Sequence, residues 1–196
     1  MPGMTRIFVT GTALADEALS VLAERGCTCI FGGDNDSAAE IARQLAAHNP
    51  AGLIVRKGTI TADAIRSASA LRAISKHGVG VDNIDVAAAT ERGIPVMVTA
   101  LANYESVAEH TLALILALSR RIPAQDRKVR QGLWDRKDYG GNDLRGKTLG
   151  IIGFGRIGRR LAELVGPLHM RILTFDPILS PSGSHVQSVR DRKSVV

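Results

Sequence analysis

Lys147-Thr148-Leu149-Gly150-Ile151-Ile152-Gly153-Phe154-Gly155-Arg156-Ile157-Gly158, continuing to Arg171-Ile172-Leu173-Thr174-Phe175-Asp176-Pro177, is the stretch that decides the fold. Residues 148–152 form a short apolar run of the kind a strand buried on both faces shows, and it ends directly in a glycine turn. Strand, turn, helix and strand follow in that order. Gly153 permits the tight turn, Gly155 lets a pyrophosphate approach the backbone, and Gly158 lets the helix pack closely on the strand. The N–H groups around Gly155, Arg156 and Ile157 open the helix without intrahelical acceptors, at the positive end of its dipole. Asp176 closes the second strand, where a carboxylate accepts hydrogen bonds from both adenosine ribose hydroxyls. Neither Pro177, Ile178, Leu179 nor Ser180 is cationic, so the expected cofactor is NAD rather than NADP.

Toward the N-terminus, apolar runs alternate with amphipathic stretches. Residues 7–9, 27–31, 52–55, 71–75 and 95–98 predict strands; 16–25, 37–47, 61–67 and 83–92 predict helices, with Asp16, Ser37, Thr61 and Asn83 as caps. This alternation implies a parallel sheet. Residues 1–101 therefore form a first α/β domain. Two of its strand ends carry candidate binding stretches, since an open parallel sheet places its ligand beyond the carboxyl ends of its strands. In Lys76-His77-Gly78-Val79-Gly80-Val81-Asp82 the loop N–H groups suit a carboxylate, and in Val55-Arg56-Lys57-Gly58 the Arg56 guanidinium suits an anion through two parallel hydrogen bonds. On residue chemistry alone, a plain turn explains either stretch equally well.

Residues 103–121 predict a long helix, apolar all round and so expected to be buried between domains or at a subunit interface, and 125–133 predict another. Glu109 and His110 are adjacent there, about 100° apart around the helix, and cannot form an acid–base dyad.

The 196 residues, 45% hydrophobic, suffice for one large domain or two small ones. No apolar run approaches the length of a membrane span, and no signal segment opens the chain, so a cytoplasmic location is expected. Cys27 and Cys29, two apart on one strand, have poor geometry for a disulfide and are expected to be reduced. No metal site is expected. The net charge of +6 is scattered and aromatics make up 4%, which argues against nucleic acid.

Taken together, Lys76 to Asp85, Ser106-Val107-Ala108-Glu109-His110-Thr111, and Leu144 to Gly158 followed by Asp176-Pro177 resemble the D-isomer-specific 2-hydroxyacid dehydrogenases, in family order and with family-like gaps. The resemblance implies a flavodoxin-like substrate domain (1–101) followed by the N-terminal part of a Rossmann domain (102–181). It assigns Gly78, Val79 and Gly80 to the substrate carboxylate, Arg56 to the substrate cleft and Asn103 to the neighbourhood of the nicotinamide. It also implies NAD, a small 2-hydroxy or 2-oxo acid of the 3-phosphoglycerate or hydroxypyruvate and glyoxylate type, and a homodimer.

The family's catalytic Arg, Glu and His lie beyond the Asp-Pro, and no residue here matches them. Asp191 to Val196 is what a common sequencing-library adapter encodes. Residues 182–196 are thus expected to be a disordered, non-native tail, strand 148–152 to keep an open edge, and the chain to be inactive and to aggregate or bind NAD weakly. The alternatives are a non-catalytic NAD-binding corepressor-like protein and, less well supported by the upstream motifs, a methyltransferase.

Overall fold

The computed structural model describes residues 4–134, 140–178 and 186–189. Two units divide the chain, Met1–Ala102 and Asn103–Val196.

In the first unit, β1 (Thr5–Thr10), β2 (Cys27–Phe31), β3 (Gly52–Val55), β4 (Ala73–Lys76) and β5 (Val96–Val98) make a wholly parallel sheet in the order β2-β1-β3-β4-β5. That is the flavodoxin-like order. Helices α1 (Asp16–Glu24), α2 (Ala38–His48), α3 (Ala62–Ser67) and α4 (Val86–Glu91) connect the strands. The core is built from Phe8, Leu53, Val55 and Ile74 of the sheet against Ile41, Leu45, Ile65 and Ala89 of the helices. Ser37 and Thr61 cap their helices as expected, accepting from Glu40 N at 3.3 Å and Ala64 N at 3.2 Å. Two expected caps are corrected. Asp16 is the first residue of α1 behind the uncapping Ala15, and α4 is capped by Asp85, which accepts from Ala88 N at 2.9 Å. Asn83 lies outside α4 because its side chain is committed to a neighbouring turn. Cys27 and Cys29 are free thiols on the edge strand, and partial burial followed by the nearby Cys27 pushes the Cys29 thiol up.

The second unit opens with α5 (Tyr104–Ser119) and α6 (Ile122–Arg130). Helix α6 starts earlier than the pattern suggests because Pro123 fits the first turn of a helix. A parallel sheet follows, β6 (Thr148–Ile152), β7 (Arg171–Phe175) and β8 (Val186–Ser188), in the order β6-β7-β8, with α7 (Arg156–Val165) crossing between the first two. This is the 3-2-1 half of a Rossmann sheet. Strand β8 falls in the stretch expected to be disordered and corrects that expectation for its three residues. Val186 pairs with Ile172 and packs on the core, a single apolar contact too brief to register as a periodic pattern. Leu179, Ser180, His185 and residues 190–196 lie outside the described residues.

The all-round burial expected of α5 is also corrected. Ala108 is buried, and Leu112 and Ile115 pack on the α7 core, but Leu114 and Leu118 stand 57% and 81% exposed. Among the described residues of its unit, only one face of the helix finds partners.

Candidate functional site

Each glycine of the turn has a separate structural reason. Gly153 adopts φ +93°, a conformation side chains strain to reach. A Cβ on Gly155 would meet no protein atom within 4 Å and would stand in the open space over the start of α7. A Cβ on Gly158 would lie 2.4 Å from Gly153 O and 3.2 Å from Ile151 Cγ2, so helix and strand touch backbone to side chain at that point. Among the described residues no side chain caps α7, which leaves its first N–H groups, those of Arg156 and Ile157 among them, to another acceptor. Phe154 turns its ring into the core and donates its N–H to Asp176 Oδ2 at 2.7 Å, while Ile178 N–H reaches Asp176 Oδ1 at 2.9 Å. These two bonds fix the Asp176 carboxylate beside the turn, at the end of β7 and next to Pro177. A third contact, missed from the sequence, is Arg159 Nε donating to Phe154 O at 3.1 Å.

Asn103 precedes α5 with its side chain unused as a cap. The first turn of that helix is bound to α7 by Arg160, which donates to Glu105 Oε2 at 2.6 Å and to Glu163 Oε2 at 2.8 Å. The Tyr104 phenol is held above its ordinary value, chiefly by its hydrogen bond to the Glu105 carboxylate. Glu109 and His110 are both exposed and share no hydrogen bond.

In the first unit the two candidate stretches are neighbours. Val55 and Lys76 are register partners at the ends of β3 and β4, and His77 N–H continues the ladder to Val55 O at 2.9 Å. Gly78, at φ +140°, is tied to Thr99: its N–H donates to Thr99 Oγ1 at 2.8 Å and its carbonyl accepts from Thr99 N at 2.9 Å. Val79 and Gly80 are exposed, and their N–H groups have no acceptor among the described residues. Arg56 is exposed and without a carboxylate partner among them, its guanidinium donating to Ala13 O. Lys57, by contrast, is turned toward Asp34, with Nζ 3.3 Å from its carbonyl and 3.9 Å from its carboxylate. Two loop N–H groups and the Arg56 guanidinium, with Lys76 held among the described residues only by the neutral Asn83 amide, therefore stand at the carboxyl ends of adjacent parallel strands, an arrangement suited to a small anion.

Among the described residues no group of three or more His, Cys, Asp and Glu could hold a metal ion, and no helix is long and apolar enough to cross a membrane.

Comparison with known proteins places these features in one family. The profile of the D-isomer specific 2-hydroxyacid dehydrogenase catalytic domain matches residues 7–191. D-3-phosphoglycerate dehydrogenase of Archaeoglobus fulgidus is 47% identical over 129 residues, covering 65% of this chain and 24% of that protein. The chain thus spans about a quarter of the length of the curated relatives it matches. Among solved structures, the TT0316 protein from Thermus thermophilus superposes with a TM-score of 0.83 at 34% identity, covering 94% of this chain and 60% of that one. The NAD-dependent formate dehydrogenase from Staphylococcus aureus, solved with NAD, gives 0.78 at 27% identity over the same shares.

Proposed function

Because the chain belongs to the D-isomer-specific 2-hydroxyacid dehydrogenase family, we propose that its second unit binds NAD and its first binds the carboxylate of a small 2-hydroxy or 2-oxo acid, of the 3-phosphoglycerate or hydroxypyruvate and glyoxylate type. The observation that carries the reading is the Asp176 carboxylate, held by Phe154 N–H at the lip of a glycine turn whose Gly155 leaves open space. These residues fit a dinucleotide. The start of α7 takes the pyrophosphate and Asp176 takes the adenosine ribose. Val79 and Gly80 N–H groups take the substrate carboxylate, Arg56 takes a further anionic group, and Asn103 lies toward the nicotinamide. NAD, when bound, supplies the hydride acceptor.

The whole protein is proposed to oxidise a CH–OH group at C2, with the hydroxyl proton leaving to a His. The family's Arg, Glu and His are expected beyond the Asp176-Pro177 pair, and we propose that the 196 residues by themselves bind without turnover. Saturation-transfer NMR on the chain, which reads weak binding, tests the cofactor. NAD is expected to bind at least about tenfold more tightly than NADP, because Asp176 opposes a 2′-phosphate. Equal affinities would sink the assignment.

The exposed face of α5 is proposed to pair with a second copy, with Leu114 and Leu118 at its centre and Trp134 exposed nearby in sequence. Sedimentation equilibrium of the whole protein is expected to give a dimer, and Leu118→Glu a monomer. A monomeric wild type overturns the pairing.

A further inference from the structure

We infer that Thr10 and Asn83 are positioning residues for Arg56, acting through the turn Arg56-Lys57-Gly58; the inference rests on the assignment of Arg56 to a substrate anion. The β1–β3 ladder ends at the pair Thr10 and Val55. Beyond it the Thr10 side chain takes over the work of the ladder. Its hydroxyl accepts from Arg56 N at 2.9 Å and from Lys57 N at 3.1 Å, and donates to Lys57 O at 2.8 Å. At 2% exposure this hydroxyl has no water to fall back on, so its three bonds are obligatory. The same segment also holds the other end of Arg56, since the guanidinium donates to Ala13 O.

Asn83 fastens the far side of the turn. Its Nδ2 donates to Gly58 O, its Oδ1 accepts from Lys76 Nζ at 2.9 Å, and its backbone carbonyl accepts from Ile60 N at 2.8 Å. One side chain thereby joins the Arg56 turn to the root of the Gly78-Val79-Gly80 loop. Gly58 itself has no freedom to move aside. It sits at φ +75°, with the place of a Cβ 2.5 Å from Ile41 Cδ1 and 2.6 Å from Asp36 O. An exposed arginine would ordinarily sample many rotamers and lose that freedom on binding. Here the turn beneath it is fixed before a ligand arrives, which lowers the ordering cost.

The test is titration of 3-phosphoglycerate into the full chain, followed by NMR, alongside thermal melting and NAD titration. Thr10→Val is expected to weaken 3-phosphoglycerate binding about tenfold and Thr10→Ser less than about twofold, because serine restores the hydroxyl. NAD affinity is expected to be unchanged in both. Asn83→Ala is expected to weaken 3-phosphoglycerate binding to a degree similar to Thr10→Val, and it decides alone if Thr10→Val does not fold. Lowered melting with unchanged 3-phosphoglycerate affinity overturns the positioning role. A wild type that does not bind 3-phosphoglycerate, or an Arg56→Met variant that binds it equally well, overturns the substrate assignment and the inference with it.

Discussion

Gly158→Ala is expected to destabilise the second unit by about 3 kcal/mol and to abolish NAD binding, the stability loss lying at the upper end of the usual cost of overpacking. The added Cβ would stand 2.4 Å from Gly153 O, closer than Cβ atoms come to anything, and 3.2 Å from Ile151 Cγ2. A flexible side chain could swing away, but the first obstacle is backbone. Either α7 lifts off β6, opening the contacts of Leu161, Ala162 and Val165 with the core, or Gly153 must leave its φ of +93°. The first route costs packing and the second costs the turn, so both stability and binding suffer.

Gly155→Ala is the contrasting variant. Its Cβ would meet no protein atom within 4 Å, and its φ of −71° suits alanine, so unfolding in urea is expected to change by less than about 1 kcal/mol. NAD affinity is nevertheless expected to fall at least about tenfold, because the methyl occupies the space the pyrophosphate needs. Two glycines three residues apart would then separate stability from binding. If both variants lose stability equally, or neither loses NAD, the division of roles among the three glycines is wrong.

How much of this is legible in the sequence depends on how local each signal is. The strand, glycine turn and helix at 148–165 are legible because apolar runs, Gly spacing and Asp176 lie within one continuous segment, and the parallel strands of the first unit announce themselves the same way. Asn83 shows the limit. Its place before a helical stretch reads as a cap, yet its side chain is taken by Gly58 O and Lys76 Nζ, partners no local pattern reveals, and Asp85 caps in its stead. Thr10 is silent for the same reason, since its acceptor and donors lie 46 and 47 residues away. Helix α5 errs in the other direction: apolarity around a helix specifies a need for cover, and the described residues of the unit supply cover to one face only.

Replacing Asp176 tests the cofactor reading from the opposite side, through charge rather than shape. Asp176→Ala is expected to weaken NAD binding about 100-fold, since two hydrogen bonds from ribose hydroxyls to a carboxylate are together worth about 3 kcal/mol. Alanine also leaves the N–H groups of Phe154 and Ile178 without the carboxylate they now share, so a loosened turn adds to the loss counted for the ribose. Asp176→Asn separates them in part, since it keeps the bond from Phe154 N–H and gives up the one from Ile178 N–H, which would face the amide NH2. The amide oxygen can still accept from Phe154 N–H, while the negative charge is gone. At an effective dielectric constant of about 20, unit charges about 4 Å apart interact by about 4 kcal/mol, so removing this one takes away most of the opposition to a 2′-phosphate. The asparagine variant is therefore expected to lose a few-fold in NAD affinity and to gain in NADP affinity, bringing the two cofactors near parity. Titration of both cofactors against both variants reads this directly. An NAD-to-NADP ratio that does not move when the charge is removed would mean that Asp176 only braces the turn, and that the preference for NAD must come from residues other than the one at the end of β7.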